Sequence, residues 1–468
     1  MKRKAIDTLI EWMNSTTDKH PIKPILLTGA KGVGKTYLAY DFAKAFFKDI
    51  VYYNYEKDYD VLGQIINHEE KDHSREASEE SPDKDPFKRI LILDEIPTTT
   101  HISDANKPLL SYDKDLIKII EYVNTRKAFT HIIAISSTPI TKEVGELFDI
   151  LPIYPLEFDE FLVATGNEWY IEVITTHFVT NKKVPEIVHK ELLALLMIYL
   201  QIGGMPAAIN EYINMASLIN IHEHHKSLIS YYHDYSQINI GESDTLKMKQ
   251  VFDSIPLQLL KTNKKFQYNL IRKGTTYGMY KDAIDRLEDY NSIIRSYKIS
   301  STDLENLKGS FDNIFHEEKR KEENNTSFKL YFPDTGILYT KISEYIMKNL
   351  IDYKSIKLND KTYKGIVIGN NELIDKALLE NYVAQSLNSK GISFGFWESD
   401  SMAKVDFLIN KEDNLVPVEL HWKSNTRSKS ISVLKQKYDI PYSIKISNKN
   451  YGFTKQVKYI PYYAVFCL

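Results

Sequence analysis

Residues 25–46 read ILLTGAKGVGKTYLAYDFAKAF, and the spacing of their glycines leaves little choice of local fold. Gly29, Gly34, Lys35 and Thr36 fill the pattern G-x-x-x-x-G-K-[ST], between a short apolar strand and an amphipathic helix. Glycines let backbone N–H groups curl around phosphate oxygens without Cβ clashes. The loop Gly29, Ala30, Lys31, Gly32, Val33, Gly34, Lys35 and Thr36 is therefore a candidate nucleotide cradle. Lys35 would reach the β- and γ-phosphates, and the Thr36 hydroxyl would bind Mg²⁺. The helix places Leu38, Phe42 and Phe46 on one apolar face, and its N-terminus adds favourable potential for an anion. This pattern predicts ATP and Mg²⁺ as ligands.

A second stretch, RILILDEIP (89–97), is an apolar strand ending in Asp94 and Glu95. Beside a phosphate loop, Asp94 would hold Mg²⁺ through water and Glu95 would polarise the attacking water. A third strand, HIIAISST (131–138), ends in hydroxyls. Ser137 there would sense the γ-phosphate; the alternative is a serine/threonine turn closing the strand.

The rest of the chain bounds the context. Its 468 residues suggest about three domains. A net charge of −3 confines any nucleic-acid surface to a local patch. The single cysteine, Cys467, excludes an intramolecular disulfide and fits a reducing compartment. The N-terminus does not read as a signal peptide. The apolar run 192–209 is broken by Gly203, Gly204 and Pro206, so a buried helix followed by a break is expected rather than a membrane span. The reading is a cytoplasmic protein with no membrane contact.

Residues 1–157 are assigned to the ATPase core, with a charged, solvated loop over 68–86. Residues 158–243 form a helical lid. Within it His222, His224 and His225 read as a solvated surface rather than a zinc site. Residues 244–345 show three helices and then the strand SIIRSYKI, a winged-helix pattern, with 315–327 as an exposed wing. Lys261, Lys264, Lys265, Arg272 and Lys273 form a basic flank that could contact phosphates. Asp285 and Asp289 on the would-be recognition helix argue against base reading.

The glycine loop, Asp94-Glu95, PLEFDEFL (155–162), GGMP (203–206) and FKLYFPDTGIL (328–338) occur in the order seen in a family of prokaryotic AAA+ ATPases. Members of that family carry a C-terminal domain of unknown function (DUF4143) with a restriction-endonuclease-like fold. The chain resembles that family along nearly its whole length. The resemblance implies an ATP-binding core related to the signal-transduction branch of AAA+ proteins. It also places the turn ending at Pro206 near the adenine or ribose. One departure matters: no arginine lies between Arg126 and Arg272. A charge that could stabilise the transferred phosphoryl group is missing from this interval, which implies slow hydrolysis.

From residue 346 onward the elements run helix, three strands, helix, strand. This is the core order of a restriction-endonuclease-like (PD-(D/E)XK-type) α/β fold. Asp406 and Glu419 sit on successive strands, and Glu380 on the first helix matches an accessory carboxylate. With His421 they form a candidate second metal site. The family usually reads Glu-x-Lys here; this chain has Glu419-Leu420-His421, and imidazole lacks the fixed charge of lysine. The expected fold class is thus α/β: a P-loop AAA+ core with helical lid, a winged-helix domain, and a nuclease-like domain. The expected function is an ATP-binding, slowly hydrolysing switch whose C-terminal domain binds DNA, RNA or a protein partner, with assembly into oligomers open. Two alternatives stand beside it, an ATP-controlled metal-dependent nuclease acting on foreign DNA and a protein-interaction scaffold with structural ATP.

Overall fold

A computed structural model describes residues 1–15, 23–58, 60–67, 89–96, 116–122, 131–140, 142–215, 218–235, 241–305, 327–351, 356–358, 361–363, 372–399, 403–422, 430–438 and 440–468. The charged segment 68–86 and nearly all of the expected wing 315–327 lie outside these residues. The chain forms two compact units, residues 1–154 with 237–241 and residues 155–236 with 242–468.

The first unit is a parallel sheet of β1 (Ile25–Thr28), β2 (Asp49–Asn54), β3 (Arg89–Asp94), β4 (His131–Ile135) and β5 (Asp149–Pro152), in the order β2-β3-β4-β1-β5. The three inner strands are almost unbroken apolar runs and are buried, as a parallel sheet covered on both faces requires. The helix Lys35–Phe46 buries Leu38, Ala39, Phe42 and Ala43. Phe46 is exposed, so the apolar face is narrower than its i, i+4 spacing predicted. Trp12 of the helix Ala5–Asn14 stacks edge-on against His131, whose imidazole burial pushes toward the neutral form.

The second unit begins with helices Phe158–Ala164, Trp169–Thr180, Glu186–Ile202, Pro206–Met215 and Leu218–Tyr235. Glu157 and Glu160 close a capping box on the first. The apolar run 192–209 is divided between two helices bent by 119°. Among the described residues no single helix is long and apolar enough to cross a membrane. The histidine cluster differs from its expected solvated state. His225 is buried, and burial lowers its pKa to about 3. Both His222 and His225 place Nδ1 2.9 Å from Thr340 Oγ1 on the helix Thr335–Ile351.

The two helices expected at 245–262 are one, Glu242–Leu260, which continues through Pro256. The next, Tyr277–Asp289, buries Tyr280, Ala283, Ile284 and Leu287 as its periodicity predicts. Its acidic face turns on Arg295: Asp285 accepts at 2.7 Å and Glu288 also pairs with the same guanidinium. Arg295 lies on β6 (Ile294–Ile299), which pairs antiparallel with β7 (Phe328–Tyr331). A short hairpin of β8 (Ile356–Leu358) and β9 (Lys361–Tyr363) stands apart from the main sheet.

The helix Glu372–Ser389 precedes β10 (Phe394–Glu398), β11 (Lys404–Lys411) and β12 (Asn414–His421). The helix Ser430–Lys437 then leads to β13 (Ser443–Ser447), β14 (Gly452–Thr454) and β15 (Val457–Pro461). These strands and β6-β7 make one eight-stranded sheet, β14-β15-β13-β12-β11-β10-β6-β7. Because β6 pairs directly with β10, the boundary expected at residue 345/346 falls inside a continuous sheet.

Three sequence stretches converge in this unit. The N–H of Leu156 donates to Gly204 O at 2.8 Å, and the N–H of Gly204 donates to Asp334 Oδ2 at 2.6 Å. A Cβ on Gly204 would meet Leu156 O at 2.1 Å, and one on Gly336 would meet Ile202 O at 2.3 Å. PLEF, GGMP and FPDTG thus meet backbone to backbone. From the helix Glu372–Ser389, Asn381 bonds both the N–H and C=O of Phe332, and Gln385 accepts from Thr335 N and donates to the Tyr199 hydroxyl.

Asp334 is fully buried, and burial pushes its carboxyl up to about 6 despite backbone donors at Gly204, Ile337 and Gly336. A carboxyl raised above its unfolded value contributes fully below about pH 4, and that contribution is lost as pH rises through about 6. Urea unfolding of wild type and Asp334→Asn should therefore diverge in pH dependence. The wild type should lose up to about 3 kcal/mol between pH 4 and 7 that the amide variant, less stable at pH 4, does not lose. Parallel profiles would show that Asp334 does not titrate in this range.

Candidate functional site

The phosphate loop follows β1 and enters the helix Lys35–Phe46. Gly29, Gly32 and Gly34 all have positive φ, at 132°, 89° and 91°. At Gly29 a Cβ would lie 2.2 Å from Ile153 O, so no larger residue fits beside β5. Arg3 holds the loop from behind, donating to Val33 O at 2.9 Å and to Tyr154 O at 2.7 Å.

Lys35 is buried, with its ammonium donating to Gly29 O at 2.7 Å, Ala30 O at 3.0 Å and Ser137 Oγ at 2.9 Å. Burial lowers its pKa to about 8; Lys31 adds to that shift, while Glu95 and Asp94 oppose it. Asp94 and Glu95 close β3. Asp94 Oδ2 accepts from Thr36 Oγ1 at 3.0 Å and from the Tyr52 hydroxyl at 2.6 Å, and Oδ1 accepts from Glu95 N at 3.0 Å. Asn54, the cross-strand partner of Asp94, adds its amide at 3.5 Å. Glu95 has a positive φ of 50°. Its Oε1 accepts from Ser137 Oγ at 3.0 Å and from the Lys31 ammonium.

Ser137 therefore joins Lys35 to Glu95. Ser136 makes a serine/threonine turn, bonding Thr138 N and O at 3.1 Å, while Ser137 bonds Lys35 and Glu95. A magnesium nucleotide fits this donor set. Thr36 Oγ1 and the Asp94 carboxylate offer hard oxygens to the ion, which would neutralise phosphate charge when bound. The loop N–H groups and Lys35 would bind phosphate oxygens, and Glu95 would orient and deprotonate water. The contributions of Tyr52, Asn54 and Arg3 had not been read from the sequence. The polar end of VYYN beside Asp94 was a usable signal for the first two; Arg3 carried none. Pro206 opens the helix Pro206–Met215 in the second unit, where proline suits a first helical position.

The four residues weighed as a second metal site divide into two groups. Glu380 is buried and takes Lys264 at 2.5 Å, Lys329 at 3.0 Å and the Tyr331 hydroxyl at 2.9 Å. Burial works to raise its pKa, but the two ammoniums outweigh this and lower it. Asp406 accepts from Leu420 N at 2.8 Å and is raised by burial and by Glu380. Glu419 is buried against Lys445 at 3.1 Å and His421 at 3.3 Å.

Register alone would set Asp406 opposite Glu419, since Phe407 faces Val418. The β10-β11 ladder is irregular between Gly395 and Trp397. Asp406 and Glu380 line a cavity together with Leu420 and Trp422; Glu419 and His421, which alternate with those two, do not line it. Among the described residues no group of three or more His, Cys, Asp or Glu side chains could hold a metal. The expected ligand set Glu380, Asp406, Glu419 and His421 is therefore corrected. The lysines around it, Lys264, Lys329 and Lys445, come from segments distant in sequence and had not been assigned to the site.

Comparison with known proteins matches three segments. Residues 22–162 match an AAA domain, residues 193–344 a domain of unknown function (DUF8612), and residues 375–465 a domain of unknown function (DUF4143). A stretch of 65 residues is 42% identical to the replication factor C large subunit of Methanococcus maripaludis strain C6, and 40% identical to that of strain C7. These stretches span 14% of this chain, and 13% and 14% of those subunits. Among solved structures, the Walker-type ATPase PABY2304 of Pyrococcus abyssi aligns at 14% identity and TM-score 0.40, covering 73% of this chain and 95% of that one. AMPPCP-bound DnaA from Aquifex aeolicus aligns at 12% identity and TM-score 0.28, covering 62% and 89%. The chain joins an AAA domain of P-loop ATPase type to a C-terminal DUF4143 domain.

Lys35→Ala should abolish ATP binding in a calorimetric titration, and Glu95→Gln should leave binding intact while stopping phosphate release. Wild-type turnover in Glu95→Gln would remove Glu95 from its role. Because the Lys35 ammonium loses its proton above about pH 8, ATP affinity should weaken as pH rises through 8. A flat profile from pH 7 to 9.5 would contradict this electrostatic account.

Proposed function

We propose that the protein is an ATP-binding, slowly hydrolysing AAA+ switch whose nuclease-like C-terminal part binds a partner without cutting it. The observation that supports it is the linked set Lys35, Ser137, Glu95, Lys31, Thr36 and Asp94. The set holds a phosphate-binding lysine, two hard oxygen donors for Mg²⁺ and a carboxylate base. In the first unit Glu95 is already engaged by Lys31 and Ser137, so its release would accompany nucleotide binding and would limit turnover. The arginine-free interval 127–271 points the same way.

In the C-terminal part, the helix-strand-strand-strand-helix-strand order supports an endonuclease-like fold. The lysines that hold Glu380 and Glu419 disfavour metal-dependent cleavage. The helix Tyr277–Asp289 followed by β6-β7 is compatible with a winged-helix derivative. Of its expected basic flank, Lys264 and Lys265 are committed to Glu380 and Glu398. We assign the partner as nucleic acid first and protein second; the 65-residue likeness to replication factor C large subunits supports that order.

Purified protein should hydrolyse ATP at or below the low end of the range of about 1–100 s⁻¹ seen for phosphoryl-transfer enzymes. Turnover should rise when the correct partner is supplied, screened across single-stranded DNA, double-stranded DNA and RNA. Fast turnover by the isolated protein would sink the switch. Neither wild type nor His421→Lys should cut DNA or RNA in Mg²⁺ or Mn²⁺, because Glu380 is already held by Lys264 and Lys329, and Glu419 by Lys445. Metal-dependent cleavage lost in Asp406→Ala would establish the nuclease reading instead.

A further inference from the structure

The second unit contains a cavity of about 230 Å³ whose wall is unusually rich in ammonium groups: Lys261, Lys264, Lys329, Lys376 and Lys404. Three carboxyl groups share it. Two of them are each bracketed by two lysines. Glu380 lies between Lys264 and Lys329, and Glu398 lies between Lys265 at 2.7 Å and Lys404 at 3.2 Å. Each of these clusters carries one surplus positive charge. The third, Asp406, accepts from Leu420 N at 2.8 Å, and with it the cavity wall holds five ammonium groups against three carboxyl groups. Lys376 is paired at the rim with exposed Glu372, and Lys261 has no ion pair among the described residues.

We propose that this cavity binds a phosphate monoester, either as a free anion or as the terminal phosphate of a nucleic-acid strand. A dianion would compensate the excess of ammonium over carboxyl groups in this wall, and lysine ammoniums supply several donors to its oxygens. The apolar parts of the wall, Leu259, Phe396 and Tyr462, lower the local dielectric and strengthen that attraction. Size limits the ligand. At about 30 Å³ per water the cavity holds on the order of seven waters, below the roughly 300–1,000 Å³ of sites that enclose a whole small molecule. It suits a terminal group rather than an entire nucleotide. A divalent cation is the wrong sign: both oxygens of Glu380 are occupied by lysines, and the ion would meet surplus positive charge. A purely structural ion cluster explains Lys264 and Lys329, which tie the helix Glu372–Ser389 to its surroundings. It does not explain Lys404, whose side chain is 54% exposed, or Lys261.

This inference rests on reading the C-terminal part as a binding module. Metal-dependent cleavage would sink that reading, whereas a failure to bind phosphate sinks this inference alone. The test uses the full chain carrying Lys35→Ala, so that the nucleotide loop does not contribute, with folding checked by circular dichroism. Calorimetric titrations with inorganic phosphate, and with a short oligonucleotide bearing a 5′-phosphate or a 5′-hydroxyl, should show saturable binding of phosphate-bearing probes. Binding of the phosphorylated strand alone would assign the ligand to strand ends, and comparable binding of inorganic phosphate would assign it to a free anion. Adding Lys261→Ala and Lys404→Ala together should weaken binding by about tenfold or more. No saturable binding of either probe, equal binding of the 5′-hydroxyl strand, or affinity unaltered in the double lysine variant would each overturn the proposal.

Discussion

Both units depend on places where two backbones approach more closely than a Cβ permits. Gly29 lies against Ile153 O, Gly204 against Leu156 O and Gly336 against Ile202 O, each with room for hydrogen only. At the first contact the approach shapes the phosphate loop and presses it against the edge strand β5. At the other two it lets one carboxylate, Asp334, collect donors from the turns of two separate segments. An alanine at any of these positions would have to displace main chain, not a flexible side-chain tip. The short motifs carrying these glycines are thus first of all packing instructions. In GGMP and FPDTG the packing role accounts for the glycines and the aspartate, apart from any contact with nucleotide.

At the phosphate loop the described charged groups are paired with one another or with the backbone. Lys35 is taken up by loop carbonyls and Ser137, Glu95 by Ser137 and Lys31, and Asp94 by Thr36 and Tyr52. Burying an unpaired charge costs several kcal/mol, so these pairs are what permit the site to exist without ligand. In the proposed reading the same pairs would be exchanged for phosphate and metal contacts when nucleotide enters, which would lower the gain from binding and slow the base. Lys31 matters here beyond its place in the loop, since it is the cation nearest the base in a chain whose sequence offers no arginine from 127 to 271.

Local pattern made much of this legible. The loop, the acidic strand end and the order of elements in the C-terminal part all follow from glycine spacing and hydrophobic period, which are short-range signals. The four buried positions of Tyr277–Asp289 were readable for the same reason. What escaped depends on partners far along the chain. His225 carries no sequence mark of burial; Thr340 and the helix around it supply that. Pro256 suggested a break, but tertiary packing carried the helix through it. The strands β6 and β7 looked like a self-contained module, and only their pairing to β10 shows that they extend the C-terminal sheet. Lys264, Lys329 and Lys445 reach the C-terminal carboxylates from other elements, so no spacing rule could name them.

In the C-terminal part the order of elements and the surroundings of the carboxylates bear on the proposed function separately. Two carboxylates on adjacent strands can share a metal only if both face the same side. Here the irregular β10-β11 ladder accompanies an Asp406 that turns to the Leu420 N–H, while Glu419 is held by Lys445 on the neighbouring strand. The histidine at 421 is therefore one part of a larger difference, and replacing it alone leaves Glu380 and Glu419 held by their lysines. Two lysines stand beside each of Glu380 and Glu398, and each ammonium makes cation binding less favourable and anion binding more so. Once two ammoniums bracket one carboxylate, the group no longer acts as a ligand. It becomes the counter-ion that makes a cluster of buried lysines tolerable, and the surplus charge is what remains to recognise a partner.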